Sequence, residues 1–312
     1  NGANAPYVAG LLGATVLTYG CGLALEALKP RWARRALVAL CALACMGGFF
    51  IFKYYDVAAA GLNSAFGTGL RALNLVQPLG ISYFSFMALG YIIDVYRGKC
   101  RAERDFFYYA LFVSFFPCIF TGPIERAGHL LPQFKDPPRF DYEQFAGGVF
   151  RILWGFFKKL VLADRLAGVT MAVAAGENQP GWLILLGISL YAVRLYGDFS
   201  GGMDVVRGVA QMLGVDLTEN FRRPFFSRSV AEYWRRWHIS LGAWFRSYVL
   251  YPFSTSRFGV FLGRLGKRML GNKTGRMLPG AVATFLIFLL IGLWHGANWN
   301  AAIYGAYFGI LC

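Results

Sequence analysis

Three histidines, His129, His238 and His295, are the imidazoles available to this 312-residue chain, and imidazole is the side chain whose unperturbed pKa lies nearest neutral pH. His295 stands in GLWHGANWN (292–300), between Trp294 and Trp299, and the 36 residues from Met277 to Cys312 hold no Asp, Glu, Lys or Arg. A lone neutral imidazole in such a stretch is a candidate general base. A hydroxyl is a poor nucleophile until its proton leaves as the new C–O bond forms, and a positioned base that takes it contributes about 10²–10⁴ in rate. His238 stands in YWRRWHISLGAW, beside Trp234 and Trp237 and next to Arg235 and Arg236. His129 follows GPIER in a Pro-rich polar connection and reads as a solvated loop histidine.

Rival chemistries find no support. The sequence has no GxSxG, no HExxH, no P-loop and no His or Cys set with metal-ligand spacing. GGMDVVRG (201–208) lacks the glycines and the preceding strand of a dinucleotide site. The six cysteines, at 21, 41, 45, 100, 118 and 312, form no CxxC pair and read as packing residues. Cys100, beside Lys99 and Arg101, is also placed where a juxtamembrane cysteine is acylated.

The elements that must position these histidines read as membrane helices. The chain is 57% hydrophobic and 15% charged. Apolar windows suited to a span of about 20 residues run from Pro6 to Leu25, Ala36 to Phe52, Leu73 to Ile93, Phe106 to Ile124, Gly181 to Val193, and from Met277 onward. This predicts an all-α polytopic membrane protein. The net charge of +15 falls in short segments between the windows, not on one basic face, which argues against nucleic acid. Lys29–Arg35, Arg97–Asp105 and Arg257–Arg276 are placed in the cytoplasm by the positive-inside rule, with the amino terminus and the Val57–Val76 connection outside. No cleavable signal peptide and no fixed-period repeat is recognisable.

We expect a single transmembrane domain over 1–312, with peripheral spans in 1–124 and the chemistry in 125–312. The chain starts without Met and ends inside a predicted helix, Ala301 to Cys312, so it reads as a fragment. A helical stretch after Phe145 carries Lys158 and Lys159, which can snorkel to the cytoplasmic surface. Asp198 to Ser256 mixes aromatics with charges and suits short helices in the interface or dipping into a protein-lined cavity. Ser229 with Glu232 three positions on predicts a capping box that opens a helix running through His238. For His238 an interfacial aromatic and basic belt is the competing reading, and for His295 an outer-interface histidine packed by Trp294 and Trp299. The 18 uncharged residues Met277 to Trp294 span about 27 Å of helix, carrying His295 toward the far face or into the membrane.

DFSGGMDV at Asp198, NFRRPF at Asn220, YWRRWHISLGAWFRSYVLYPF at Tyr233 and GLWHGANW at Gly292 resemble the ordered signature of the membrane-bound O-acyltransferase family. The resemblance is strongest to the bacterial branch of alginate O-acetylation and teichoic acid D-alanyl transfer. FFPCIFTGPIERAGHLLPQF (115–134) resembles that branch's upstream block. The resemblance implies a helix bundle with a through-membrane tunnel between a cytoplasmic acyl thioester and an acceptor reached from outside. It implies His295 and His238 as the catalytic histidines, with Asp198, Asn220, Trp234, Arg235, Arg236, Trp237, Trp294 and Asn298 binding substrate or supporting the tunnel. Gly202, Met203, Phe225, Ser247 and the FSTS after Pro252 depart from the branch pattern.

The implied reaction moves an acyl group, acetyl first, from acetyl-CoA or an acyl carrier phosphopantetheine toward hydroxyls of an extracytoplasmic polysaccharide. His295 would act as base, Asn298 or nearby donors would steady the oxyanion, and His238 with its arginines would guide the donor. No metal and no bound cofactor is needed. Implied partners are membrane lipid, the donor or its carrier protein, an extracytoplasmic SGNH-type acyltransferase and a cell-envelope glycan, in a bacterial cytoplasmic membrane. D-alanyl transfer to teichoic acid, or a conduit without a catalytic base, are the alternatives.

Overall fold

The computed structural model describes residues 5–312 except positions 76, 77, 79, 177 and 297. In chain order the α-helices are α1 (Ala5–Ala27), α2 (Arg31–Phe66), α3 (Ile81–Tyr96), α4 (Phe106–Ser114), α5 (Phe116–Thr121), α6 (Ala127–Lys135), α7 (Tyr142–Phe156), α8 (Asp164–Ala175), α9 (Gly181–Met212), α10 (Val230–Arg236), α11 (Ile239–Phe245), α12 (Tyr251–Thr255), α13 (Arg257–Gly275), α14 (Leu278–His295) and α15 (Trp299–Leu311). No strand occurs among the described residues, only one antiparallel bridge between Phe221 and Trp237. α1, α2, α9 and α14 are long and apolar enough to cross a membrane, which agrees with the all-α membrane character read from composition.

Several boundaries differ from the sequence reading, each for a local reason. The Phe106–Ile124 window is two helices, because Pro117 opens α5 and leaves Phe115 at ψ 105°; a proline cannot donate into the preceding turn and clashes with it. α2 continues through Val57 to Phe66, where Gly67 adopts φ 63° and closes the helix, so much of the expected outer connection is helical. α9 runs on past Val193 to Met212 and takes Asp198 into a long helix. His129 lies in α6, not in a loop.

The described residues form two compact units. The first combines Asn1–Lys29 with Leu79–Asn220. In it α7 and α9 lie antiparallel at glycine contacts: a Cβ on Gly148 would sit 2.7 Å from the Gly208 carbonyl oxygen, and one on Gly155 would sit 2.6 Å from that of Gly201. Small residues let membrane helices approach this closely. α7 passes through a π-helical turn, Phe157–Ala163, into α8. That turn does not send Lys158 to the surface as expected. Lys158 is buried, with Nζ 2.5 Å from Asp204 and 3.0 Å from Ser200 on α9. A carboxylate within reach makes the buried ion pair possible. Lys159 stays partly exposed and bridges Asp164 and Asp198.

The second unit combines Pro30–Pro78 with Phe221–Cys312 and contains α2 and α10–α15. α14 and α15 make a close helical hairpin in which a Cβ on Gly292 would lie 2.9 Å from the Gly305 Cα. Between Asn220 and Ser256 α10 has seven residues, and α11 passes through a π-helical turn, Arg246–Leu250, into α12, a continuous helical stretch of 17 residues from Ile239 to Thr255.

Candidate active site

His238 owes its position to a helix that stops early. Ser229 caps α10 by accepting the Glu232 N–H at 3.1 Å, while Glu232 Oε2 accepts the Arg228 N–H at 2.8 Å, one residue outside the expected capping box. α10 then ends at Arg236 instead of continuing through His238. The chain turns extended at Trp237 and pairs with Phe221, and the Arg222 N–H donates to the Arg236 carbonyl at 2.9 Å. His238 follows at φ 46°, ψ 54° and starts α11. This left-handed conformation costs a non-glycine residue of order 1–3 kcal/mol and is met most often at functional positions. Arg223, across the bridge, has φ 46° as well.

The joint points His238 into unit interior, with 4% of its surface exposed. Burial pushes its imidazole down to about 3, with a smaller contribution from His295. It is therefore neutral at physiological pH. The Trp294 ring lies near both histidines, 6.5 Å from His238 and 4.8 Å from His295 between centroids. Trp237 stacks on Tyr233 at 5.6 Å and meets Phe221 edge-on. Trp234 packs edge-on against Phe288 of α14 and Phe308 of α15, each at 5.0 Å. The aromatic residues of α10 thus clamp the α14–α15 hairpin.

His295 is the last residue of α14. The carbonyls of a helix's last turn have no intrahelical partner, and α2 supplies two. Lys53 Nζ donates to the Trp294 carbonyl, and the Tyr54 hydroxyl donates to that of Leu293 at 2.5 Å. Lys53 also lies over the Phe49, Tyr54 and Trp294 rings at 5.4–5.8 Å. A cation at a helix C-terminus is worth about 0.3–1 kcal/mol. Here it also fixes the turn that carries His295.

The two histidines line one cavity of about 310 Å³, together with Trp234, Arg235, Trp237, Arg246, Thr284 and Tyr304. His238 is buried and His295 is exposed, so the cavity has a deep imidazole and an accessible one. Arg235 and Arg246 are exposed guanidinium groups in its wall. Arg236 is directed elsewhere, to Glu232 at 2.5 Å. Trp294 and Asn298 are not among the lining residues; Asn298 Oδ1 caps α15 by accepting the Ala301 N–H at 2.8 Å. Asp198 and Asn220 belong to the first unit, where Asp198 pairs with Lys159 at 2.7 Å and buried Asn220 donates to the Met203 sulfur. No group of three His, Cys, Asp or Glu side chains that could hold a metal occurs among the described residues. Lys53, Tyr54, Arg246 and Tyr304 escape the sequence reading. Lys53 carried one signal, being the single Lys or Arg of α2 beyond its first two turns.

Such a site can desolvate a reacting group, hold anionic atoms at its arginines and offer a neutral imidazole to a hydroxyl proton. Comparison with known proteins points the same way. Residues 101–262 match the family described as MBOAT, membrane-bound O-acyltransferase family; this stretch includes His238 and stops short of His295. The chain is 36% identical over 305 residues to a probable alginate O-acetylase of Pseudomonas aeruginosa, covering 96% of this chain and 55% of that protein. It is 30% identical over 338 residues to a peptidoglycan O-acetyltransferase of Helicobacter pylori (98% of this chain, 60% of that one). A teichoic acid D-alanyltransferase of Bacillus subtilis is 31% identical over 247 residues (76% and 58%). The chain spans little more than half the length of these relatives. With the matched family covering 162 of the 312 residues, 101 to 262 inclusive, this chain belongs to the membrane-bound O-acyltransferase family.

Proposed function

We propose that this protein is an O-acyltransferase of the bacterial cytoplasmic membrane that moves an acetyl group from a cytoplasmic thioester toward hydroxyls of a cell-envelope polysaccharide. The observation that carries the reading is the shared cavity of His238 and His295. His295, exposed at the end of α14, takes the acceptor proton as the hydroxyl attacks the thioester carbonyl, and the thiol leaves. The thioester supplies the driving force, so the reaction requires no metal. Arg235 and Arg246 hold the phosphates of acetyl-CoA or of an acyl carrier phosphopantetheine, and His238 positions the pantetheine chain. Trp234, Trp237 and Trp294 keep the path apolar. Asn298 has one carboxamide oxygen engaged in its cap, so its remaining contribution to the developing oxyanion comes through Nδ2–H. Arg236 acts by holding the α10 backbone through Glu232, and Asp198 and Asn220 act within the first unit. An extracytoplasmic SGNH-type enzyme receives the acyl group and completes transfer to the glycan.

The D-alanyltransferase relatives support a second reading, D-alanyl transfer from a carrier protein to teichoic acid. Membranes carrying the full-length protein, offered radiolabelled acetyl-CoA or D-alanyl carrier protein in separate reactions, discriminate the two. We expect label from acetyl-CoA to reach acceptor glycan. Label from the D-alanyl carrier alone would reverse the assignment, and label from neither would favour a conduit without a catalytic base.

A further inference from the structure

A second polar cavity, of about 260 Å³, opens in the first unit between α7, α9 and residues 215–217. Its wall holds Gln144 and Arg151 from α7, Arg207 and Gln211 from α9, and Asp216. Two guanidinium groups, one from each helix, therefore line the same cavity. Among the described residues neither has a carboxylate within ion-pair distance. Arg207 Nε donates to the Leu217 carbonyl at 3.1 Å, which leaves its terminal nitrogens for the cavity. Three acids, Glu219, Asp216 and Asp204, lie near Arg207 beyond ion-pair distance. Asp204 is bonded to Lys158 at 2.5 Å, and the exposed Asp216 carboxylate lies 3.8 Å from His129 Nε2.

The convergence follows from packing. Arg151 lies one turn from Gly148, and Arg207 adjoins Gly208, whose backbones touch across the α7–α9 contact. Drawing these helices together brings two cations to one cavity, where the Asp216 carboxylate offsets part of their repulsion and a bound anion would offset more. The geometry points to a binding site for a phosphate-class oxyanion, held by Arg151 and Arg207 with the Gln144 carboxamide as a further donor, Gln211 Nε2 already donating to the Gln144 carbonyl at 3.3 Å. Planar guanidinium forks suit phosphate oxygens bidentately. The phosphate could be that of an anionic lipid headgroup or a free phosphate in solution. Either lies outside the histidine cavity and outside the proposed reaction.

The test uses the whole purified protein in detergent and in lipid nanodiscs. Inorganic phosphate should raise the melting temperature of the wild type above that in chloride of equal ionic strength, and Arg207→Gln and Arg151→Gln should each weaken phosphate binding at least tenfold. Without phosphate the Arg207→Gln protein should melt no lower than the wild type, since the substitution relieves repulsion, whereas loss of a structural ion pair would lower it. In the second arm, phosphatidylglycerol should stay bound in native mass spectra of the wild type and be lost from the double variant. Phosphate stabilisation alone assigns a soluble ligand; retained lipid alone assigns a headgroup. A wild type that is neither stabilised by phosphate nor retains phosphatidylglycerol overturns the site, whether or not the variants fold. So does binding that persists undiminished in the double variant.

Discussion

His238 and His295 stand out in the sequence because each lies between tryptophans, His295 in a stretch with no Asp, Glu, Lys or Arg and His238 beside two arginines, yet nothing there marks that His238 must be left-handed. That conformation makes substitution informative. Asn accepts it more readily than most residues, so His238→Asn should preserve abundance and melting temperature while raising the apparent KM for the thioester several-fold, measured by donor titration. His238→Gly relieves the backbone cost and should be as stable as the wild type or more so, with the same loss of donor affinity. Lys53 shows in the sequence only as an isolated cation, since the Trp294 carbonyl it touches lies 241 positions away. Lys53→Met should lower kcat about tenfold with little change in KM, and Lys53→Arg should recover most of it, since the charge and donor remain. His129 behaves differently: its hydrogen bond to Glu125 raises its pKa above the usual histidine value, with Asp216 adding to the effect. The folded state therefore holds this proton more tightly. Its contribution to stability is complete below about pH 6.5, the unfolded value, and is lost as pH rises through the higher folded value. Melting curves across that window should flatten in His129→Gln, and its acyl transfer should stay near normal.

At the scale of elements, periodicity and composition reveal the long apolar helices, and α14 begins and ends close to where its uncharged run does. They miss what depends on neighbours. The π turn at Phe157–Ala163 turns Lys158 toward Asp204, a carboxylate 46 positions later in the chain. α10 stops at Arg236 because the next residue pairs with Phe221. The α14–α15 hairpin rests on Gly292 and Gly305, and the added bulk in Gly305→Val would meet the Phe288 carbonyl oxygen at 2.5 Å and the Leu289 Cα at 2.9 Å. Overpacking a tight contact costs about 1–3 kcal/mol. Gly305→Val should therefore lower the melting temperature and disturb His295 together, read as parallel losses of thermal stability and activity, whereas Gly128→Ala, with nothing within 4 Å, should change neither.

For the whole molecule, the positive-inside pattern predicts an orientation on which the proposed donor and acceptor sides depend. Single cysteines in place of Arg35, Lys99 and Arg268 should be protected from an impermeant thiol reagent in intact cells, and one in place of Ser64 should be labelled. Labelling of the Arg268→Cys protein from outside would invert the topology. The central claim, that His295 is the base of an acyl transfer, is tested most directly by acetyl transfer from labelled acetyl-CoA to acceptor in membranes holding equal amounts of wild-type and His295→Ala protein. The His295 side chain is exposed, so the variant should accumulate normally and its rate should fall about 10²-fold or more. Undiminished transfer by His295→Ala protein of normal abundance would contradict the account.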